Sequence, residues 1–131
     1  MIALDTNVLV RFLVQDDKQQ AKAVLTHFAK QEKNKQSFFV TQLVVLELIW
    51  VLEAVYEVSR EDILHSLSEL LLMPVLTFEA QSTLRSFISS ATKSKFDLPD
   101  LLIAHSAIEQ GCDTTYTFDK KASKFEFFER I

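Results

Sequence analysis

The spacing of apolar residues along the chain predicts a protein built mainly of helices. Apolar side chains recur at three- and four-residue intervals, which is the repeat of one helix face, in three separate stretches. The stripes are Ala21, Val24, Leu25, Phe28 and Ala29; Ile63, Leu64, Leu67, Leu70 and Leu71; and Leu84, Phe87, Ile88 and Ala91. With a single glycine and two prolines in 131 residues, long loops are not expected.

Polar residues mark where several of these helices should begin. Side chains that cap helices, or a proline in the first turn, identify the starts. They are Thr41, Ser59 with Asp62 three residues on, and Asp97 or Leu98 before Pro99. The last of these helices should end near Gly111, since glycine commonly follows a helix C-terminus.

Short apolar runs between the helices predict strands at 2–4, 37–40, 75–78, 114–118 and 125–128. Strands that alternate with helices favour a parallel sheet covered on both faces. Such sheets bind ligands at the carboxyl ends of their strands. Asp5 and Asp119 each follow a strand directly, so both acids are expected at that edge.

Two further acids lie in apolar stretches of predicted helices. The helical neighbours of Glu47 are all apolar: Leu43, Val44, Trp50, Val51 and Ala54. Those of Asp100 are apolar as well: Ile103, Ala104, Ala107 and Ile108. We therefore expect Glu47 and Asp100, together with Asp5 and Asp119, to point inward.

Four inward carboxylates would repel one another and raise each other's pKa values, and a divalent cation would remove that penalty. Hard oxygen ligands suit Mg²⁺ or Mn²⁺. No His/Cys cluster with zinc spacing is present, since His27, His65 and His105 are scattered. The four acids thus predict a magnesium-type site.

Each acid also has a purely structural explanation. Asp5 could cap the helix that begins at Thr6, and Glu47 could pair with Arg11 or lie in a dimer contact. Asp100 could be an ordinary acid in the first turn of a helix, and Asp119 could be a turn residue or an N-cap. The four acids taken together favour the metal site over these separate explanations.

Length and composition fit one domain over residues 1–131. The chain is 48% hydrophobic with a net charge of −4, so a uniformly basic nucleic-acid surface is not expected. No apolar run reaches the length of a membrane span, the first residues are too polar for a signal peptide, and one cysteine allows no internal disulfide. We expect a soluble, cytoplasmic protein.

At these acids the sequence resembles the PIN-domain ribonucleases, specifically the VapC-type toxins of toxin–antitoxin pairs. The resemblance covers nearly the whole chain and keeps the family's order of motifs. The segments that carry it are LDTNVLVRFLVQDD, VLELIWVLEAVY, FDLPDLLIAHSAIEQGCDT and TYTFDKKASK.

The resemblance implies a three-layer α/β/α sandwich with a short, mostly parallel central sheet. It implies an Mg²⁺- or Mn²⁺-dependent endoribonuclease whose four acids fall on Asp5, Glu47, Asp100 and Asp119. Asp5 and Asp100 are then the main metal ligands, and Glu47 and Asp119 are further ligands or contacts through water. Accessory positions that could supply a further acid or orient the site fall on Asp97, Thr6, Asn7 and Thr117.

The resemblance also implies partners. An RNA substrate needs positive charge beside the acids, and candidates flank the motifs: Arg11, Lys93, Lys95 and Lys120, with Lys121 and Lys124 nearby. VapC-type proteins form homodimers. They are inhibited by a small VapB-like antitoxin that covers the active site, and operator DNA is bound only through the antitoxin complex.

Two other functions fit part of the pattern. A haloacid-dehalogenase-type phosphatase or receiver protein would use Asp5 as phosphate acceptor. The phosphatase pattern requires a second aspartate at the position that Asn7 occupies in this chain. A PIN scaffold kept only for binding RNA or protein would not need Mg²⁺ near Asp5.

Overall fold

Short parallel strands alternate with helices in the computed structural model, which describes residues 1–131. The strands are β1 (Ile2–Ala3), β2 (Phe38–Val40), β3 (Leu76–Phe78), β4 (Thr115–Thr117) and β5 (Phe128–Arg130). The helices are α1 (Thr6–Val14), α2 (Lys18–Lys33), α3 (Gln42–Ala54), α4 (Arg60–Leu71), α5 (Gln81–Thr92) and α6 (Leu98–Glu109). The chain forms two compact units, an N-terminal unit over Met1–Gln81 and a C-terminal unit over Ser82–Ile131.

The N-terminal unit contains a parallel sheet in the order β1-β2-β3. Ile2 pairs with Phe38, and Phe38 in turn pairs with Leu76. Helix α1 packs against α2 and α3, and α4 packs against α3 and β3. Leu9 of α1 and Leu48 of α3 are fully buried in this core.

The C-terminal unit contains most of α5, then α6 and a parallel pair of β4 and β5. A 3-10 helix, Ala122–Lys124, lies between the two strands. Phe87 of α5 and Leu101 of α6 are fully buried. Gly111 has a φ angle of +90° just after α6, a conformation that residues with a Cβ rarely adopt.

The predicted helix starts are confirmed, because each cap accepts the expected backbone hydrogen bond. Thr41 Oγ1 accepts from the Val44 amide at 3.2 Å, and Ser59 Oγ accepts from the Asp62 amide at 3.2 Å. Pro99 lies in the first turn of α6. These caps depend on residues three positions apart, which is why local sequence identified them.

The last predicted strand is displaced. Residues 125–128 were expected to form it, but the strand is Phe128–Arg130. Phe125 ends the 3-10 helix instead, and its ring packs against Phe96 and Phe127. The apolar run therefore reflects a cluster of aromatic rings before the strand.

None of the helices combines the length and the apolar character that crossing a membrane requires.

Candidate functional site

A pocket of about 570 Å³ in the C-terminal unit brings three of the predicted acids together. Its lining includes the carboxylates of Asp97, Asp100 and Asp119, as well as Phe96. Asp97 caps α6, Asp100 lies in the first turn of the same helix, and Asp119 follows β4 closely. The start of a helix and the carboxyl end of a strand thus supply acids to one pocket.

Asp119 is held by the backbone around it. Its Oδ1 accepts hydrogen bonds from the amides of Lys121 at 2.8 Å and Ala122 at 3.0 Å. The Asp119 amide donates to Thr117 Oγ1 at 3.0 Å. The turn role considered from the sequence is therefore real. It uses one carboxylate oxygen and leaves Oδ2 available to the pocket.

The half-buried Asp100 carboxyl has a raised pKa. Burial is the largest cause, and the negative charges of Asp97 and Asp119 add to it. Asp97 also accepts a hydrogen bond from the Asp100 amide at 3.0 Å, which fixes the two residues in one turn. The pocket thus brings like charges together, and a bound cation would relieve their repulsion.

The donor set of this pocket fits a hard divalent cation. All three acids present oxygen ligands, which Mg²⁺ and Mn²⁺ prefer. As the side chains stand, no three histidine, cysteine, aspartate or glutamate groups converge closely enough to hold a metal ion. The pocket therefore suits a divalent cation by the chemistry and charge of its oxygen ligands, and not by their present spacing.

Positive charge borders the same pocket. Lys95, Lys121 and Lys124 all contribute to its lining. Lys95 was expected there, whereas Lys93 lines a different cavity and the exposed Lys120 lines neither. Consecutive lysines cannot be ranked from sequence alone, because the turn after Asp119 decides which of them faces the pocket.

Asp5 lies in the N-terminal unit, where it caps α1. Its Oδ1 accepts from the Thr6 amide at 2.8 Å, so the capping explanation is also realised. Thr6 is only 3% exposed and its Oγ1 is buried without a hydrogen-bond partner. Asn7 is exposed and lines an apolar pocket of about 540 Å³ in the same unit.

The expectation that all four acids point inward was wrong for Asp5, Glu47 and Asp119, which are exposed. Glu47 shows the reason. The buried face of α3 is formed by Val45, Leu48, Ile49 and Leu52. Two apolar neighbours of Glu47, Leu43 and Trp50, are 79% and 58% exposed. Helix α3 is apolar on both faces, so apolar neighbours did not identify its buried side.

Arg11 is engaged within the N-terminal unit. Its guanidinium donates to Asp16 at 3.4 Å and to the Tyr56 hydroxyl at 3.2 Å, and it also donates to Gln20. The Tyr56 hydroxyl donates to Asp16 at 3.0 Å. The hydrogen bond with Tyr56 is the main reason that the Arg11 pKa is raised. The alternative in which Arg11 pairs with Glu47 was wrong.

The sequence model of the PIN domain matches residues 2–127, a span that covers most of each unit and includes all four acids. The chain belongs to the PIN domain family. It is also similar to a VapC ribonuclease of Aquifex aeolicus (strain VF5), with 26% identity over 127 residues. That alignment covers 97% of this chain and 93% of the relative.

Membership of the PIN family confirms the family predicted from the ordered motifs and the α/β class with short parallel strands. The helices and parallel strands are those of a three-layer α/β/α fold. The phosphatase and receiver alternatives are replaced by this assignment. The sequence analysis did not single out Phe96, the residue between Lys95 and Asp97 in the chain. Phe96 lines the pocket of Asp97, Asp100 and Asp119, called here the acid pocket. Its only signal was its position directly before the DLPD segment.

Proposed function

We propose that this PIN domain is a divalent-metal-dependent endoribonuclease and the toxin of a toxin–antitoxin pair. The observation that carries the proposal is the pocket where Asp97, Asp100 and Asp119 meet three lysines. It occurs in a chain that matches the PIN family over residues 2–127 and resembles a VapC ribonuclease along nearly its full length. Acids suited to a cation beside lysines suited to phosphate are what phosphodiester hydrolysis needs.

The residues proposed to act together are Asp5, Glu47, Asp100 and Asp119. Asp5 and Asp100 are the main ligands for Mg²⁺, with Mn²⁺ able to replace it, and Glu47 and Asp119 contribute further oxygen atoms. Asp97 holds the first turn of α6, through its bond to the Asp100 amide, and adds negative charge. Thr6, Asn7 and Thr117 are accessory residues, of which Thr117 accepts from the Asp119 amide.

A bound divalent cation would neutralise charge on the phosphodiester and promote ionisation of a water molecule. The chain's own groups supply the other parts of the reaction. Glu47 or Asp119 accepts a proton from the attacking water. Lys95, Lys121 and Lys124 bind the phosphate backbone. Attack in line with the leaving 3′ oxygen gives 5′-phosphate and 3′-hydroxyl products.

The resemblance supports further proposals about the whole protein. Residues 1–131 are proposed to act as one PIN domain that works in the cytoplasm as a homodimer. A small VapB-like antitoxin would cover the acids, and the pair would bind operator DNA through the antitoxin. Co-purification with the product of an adjacent small gene and sedimentation of the free chain test these assignments.

The direct test of the function is incubation of the purified chain, free of antitoxin, with total RNA in Mg²⁺, in Mn²⁺ or in EDTA. Discrete cleavage that requires metal and leaves 5′-phosphate ends is expected. Products with 2′,3′-cyclic phosphate ends would contradict the mechanism.

A catalytically silent scaffold that only binds RNA or protein is the alternative. The presence of all four acids argues against it. Calorimetric titration with Mn²⁺ separates the two, because a silent scaffold need not bind the ion and substitution of Asp100 would then leave the titration unchanged.

A further inference from the structure

A second cavity in the C-terminal unit combines positive charge, hydroxyl groups and aromatic rings. It has a volume of about 620 Å³ and is lined by α5, the start of the segment after it, α6 and the residues before β5. Phe96 lines both this cavity and the acid pocket. The two cavities are therefore neighbours within one unit.

One side of the cavity is a polar face of α5. Arg85 on α5 and Lys93, the residue directly after the helix, are eight residues apart, which corresponds to about 12 Å along a helix axis. Both are exposed, line the cavity and make no ion pair. Ser86, Ser89 and Ser90 lie between them on the same lining. Cations separated by hydroxyl groups suit a chain of phosphates better than a single anion.

Another part of the lining is aromatic. The Phe125 ring centroid is 5.2 Å from that of Phe96 and 5.1 Å from that of Phe127. The His105 ring meets Phe127 edge-on, with centroids 5.2 Å apart. Phe96 and Phe127 are partly exposed and line the cavity, so part of their apolar ring surface is accessible from it.

The buried imidazole of His105 also belongs to this aromatic part of the lining. The residue is 9% exposed, and its Nε2 is buried without a hydrogen-bond partner. Burial lowers the pKa of His105, although Glu126 acts in the opposite direction. The ring lines the cavity, so a base that binds beside it would change the surroundings of the imidazole without reaching Nε2.

We propose that this cavity is a binding subsite for a nucleotide of single-stranded RNA, outside the acid pocket. The base lies against Phe96 and Phe127 beside the His105 ring, while the flanking phosphates follow Arg85, the serines and Lys93. Stacking on aromatic rings combined with a basic track is how proteins hold single-stranded RNA. The subsite rests on RNA being the substrate of the proposed function.

The same lining argues against an acidic peptide as the occupant. A peptide carboxylate would use the two cations, but it has no flat ring to stack on the aromatic side. Glu126 also lines the cavity, where it would repel a carboxylate. It can accept a hydrogen bond from the amino group of adenine, cytosine or guanine.

The first test follows the His105 ring signal by NMR while AMP, CMP, GMP or UMP is added, with inorganic phosphate as the control. A His105→Gln variant distinguishes this signal from those of His27 and His65. A saturable shift with at least one nucleotide, and none with phosphate, is expected. No shift with any nucleotide, an equal shift with phosphate, or a shift with a glutamate peptide only would overturn the subsite.

The second test measures binding of a fluorescent single-stranded RNA in EDTA, on an Asp100→Asn background that leaves the RNA intact. Arg85→Ala with Lys93→Ala should weaken binding about tenfold and reduce the salt slope by about 2. Lys30→Ala with Lys33→Ala is the charge-matched control, since both lysines are exposed in the last turn of α2. Equal effects of the two double variants would overturn the proposal.

The two proposals fail in different ways. If the wild type does not cleave RNA but nucleotides still shift the His105 signal, the nuclease function is wrong and the subsite is supported. If RNA is cleaved while the signal stays unmoved and affinity is unchanged in the double variant, the subsite alone is wrong.

Discussion

Asp100 carries the clearest electrostatic signature of the site. Its pKa is raised by burial and by two neighbouring carboxylates, so the folded protein binds a proton at Asp100 more tightly than the unfolded chain does. As the pH rises from below the ordinary value of 3.8, ionisation of Asp100 therefore destabilises the fold. The charge is retained at a cost in stability, as expected for a residue kept for binding or catalysis.

Replacing Asp100 with asparagine should remove that pH-dependent cost. The free energy of unfolding of Asp100→Asn, relative to wild type, should increase between acid and neutral pH, by under about 1 kcal/mol because the group is only half-buried. Urea denaturation in EDTA over this pH range measures the difference. A difference that decreases with rising pH would show that the carboxylate stabilises the fold.

Asp119 allows the structural and chemical roles of one residue to be separated. Asp119→Asn keeps an oxygen that can accept from the amides of Lys121 and Ala122, whereas Asp119→Ala does not. We expect alanine to cost about 1 kcal/mol of stability and asparagine to cost much less. Both should abolish metal-dependent cleavage, and retention of activity by Asp119→Asn would reduce the residue to a turn former.

At the scale of single elements, local signals predicted well and face assignments did not. The caps at Thr41 and Ser59 depend on atoms three residues apart, so the sequence contained the whole interaction. Whether Glu47 is buried or exposed depends on which side of α3 packs against the core. An apolar helix presents two equivalent sides, and only packing against other elements decides between them.

The exposure of Glu47 leads to a sharp expectation for α3. Glu47→Gln should change the free energy of unfolding by less than about 0.5 kcal/mol, since exposed sites without partners tolerate substitution. It should reduce RNA cleavage by about 100-fold or more if the carboxylate accepts a proton or binds the metal. Sedimentation of the same variant checks the dimer-contact explanation, which predicts altered association and intact cleavage.

At the scale of the whole molecule, the order of motifs predicted the family from residue 2 to residue 127, although no single motif was decisive. The sequence also named Asp97, Asp100 and Asp119 as site residues, and all three line one pocket. The sequence did not predict the second cavity, which His105 helps to line. The residues that line this cavity come from separate segments that share no recognisable motif.

The proposed toxin role predicts a phenotype for the intact protein. Induced expression of the wild-type chain without its antitoxin should arrest bacterial growth, since unrestrained RNA cleavage blocks translation. Expression of Asp100→Asn to the same level should not arrest growth. Equal arrest by both would attribute toxicity to something other than the acids.

The nuclease function is tested by the rate of RNA cleavage in Mg²⁺ by wild type and by Asp5→Asn, prepared identically and free of antitoxin. Asparagine can still accept from the Thr6 amide as the cap of α1, so the variant should fold normally. We expect metal-dependent cleavage by wild type and a loss of about 100-fold or more in the variant. Cleavage of equal rate by both proteins would contradict this expectation.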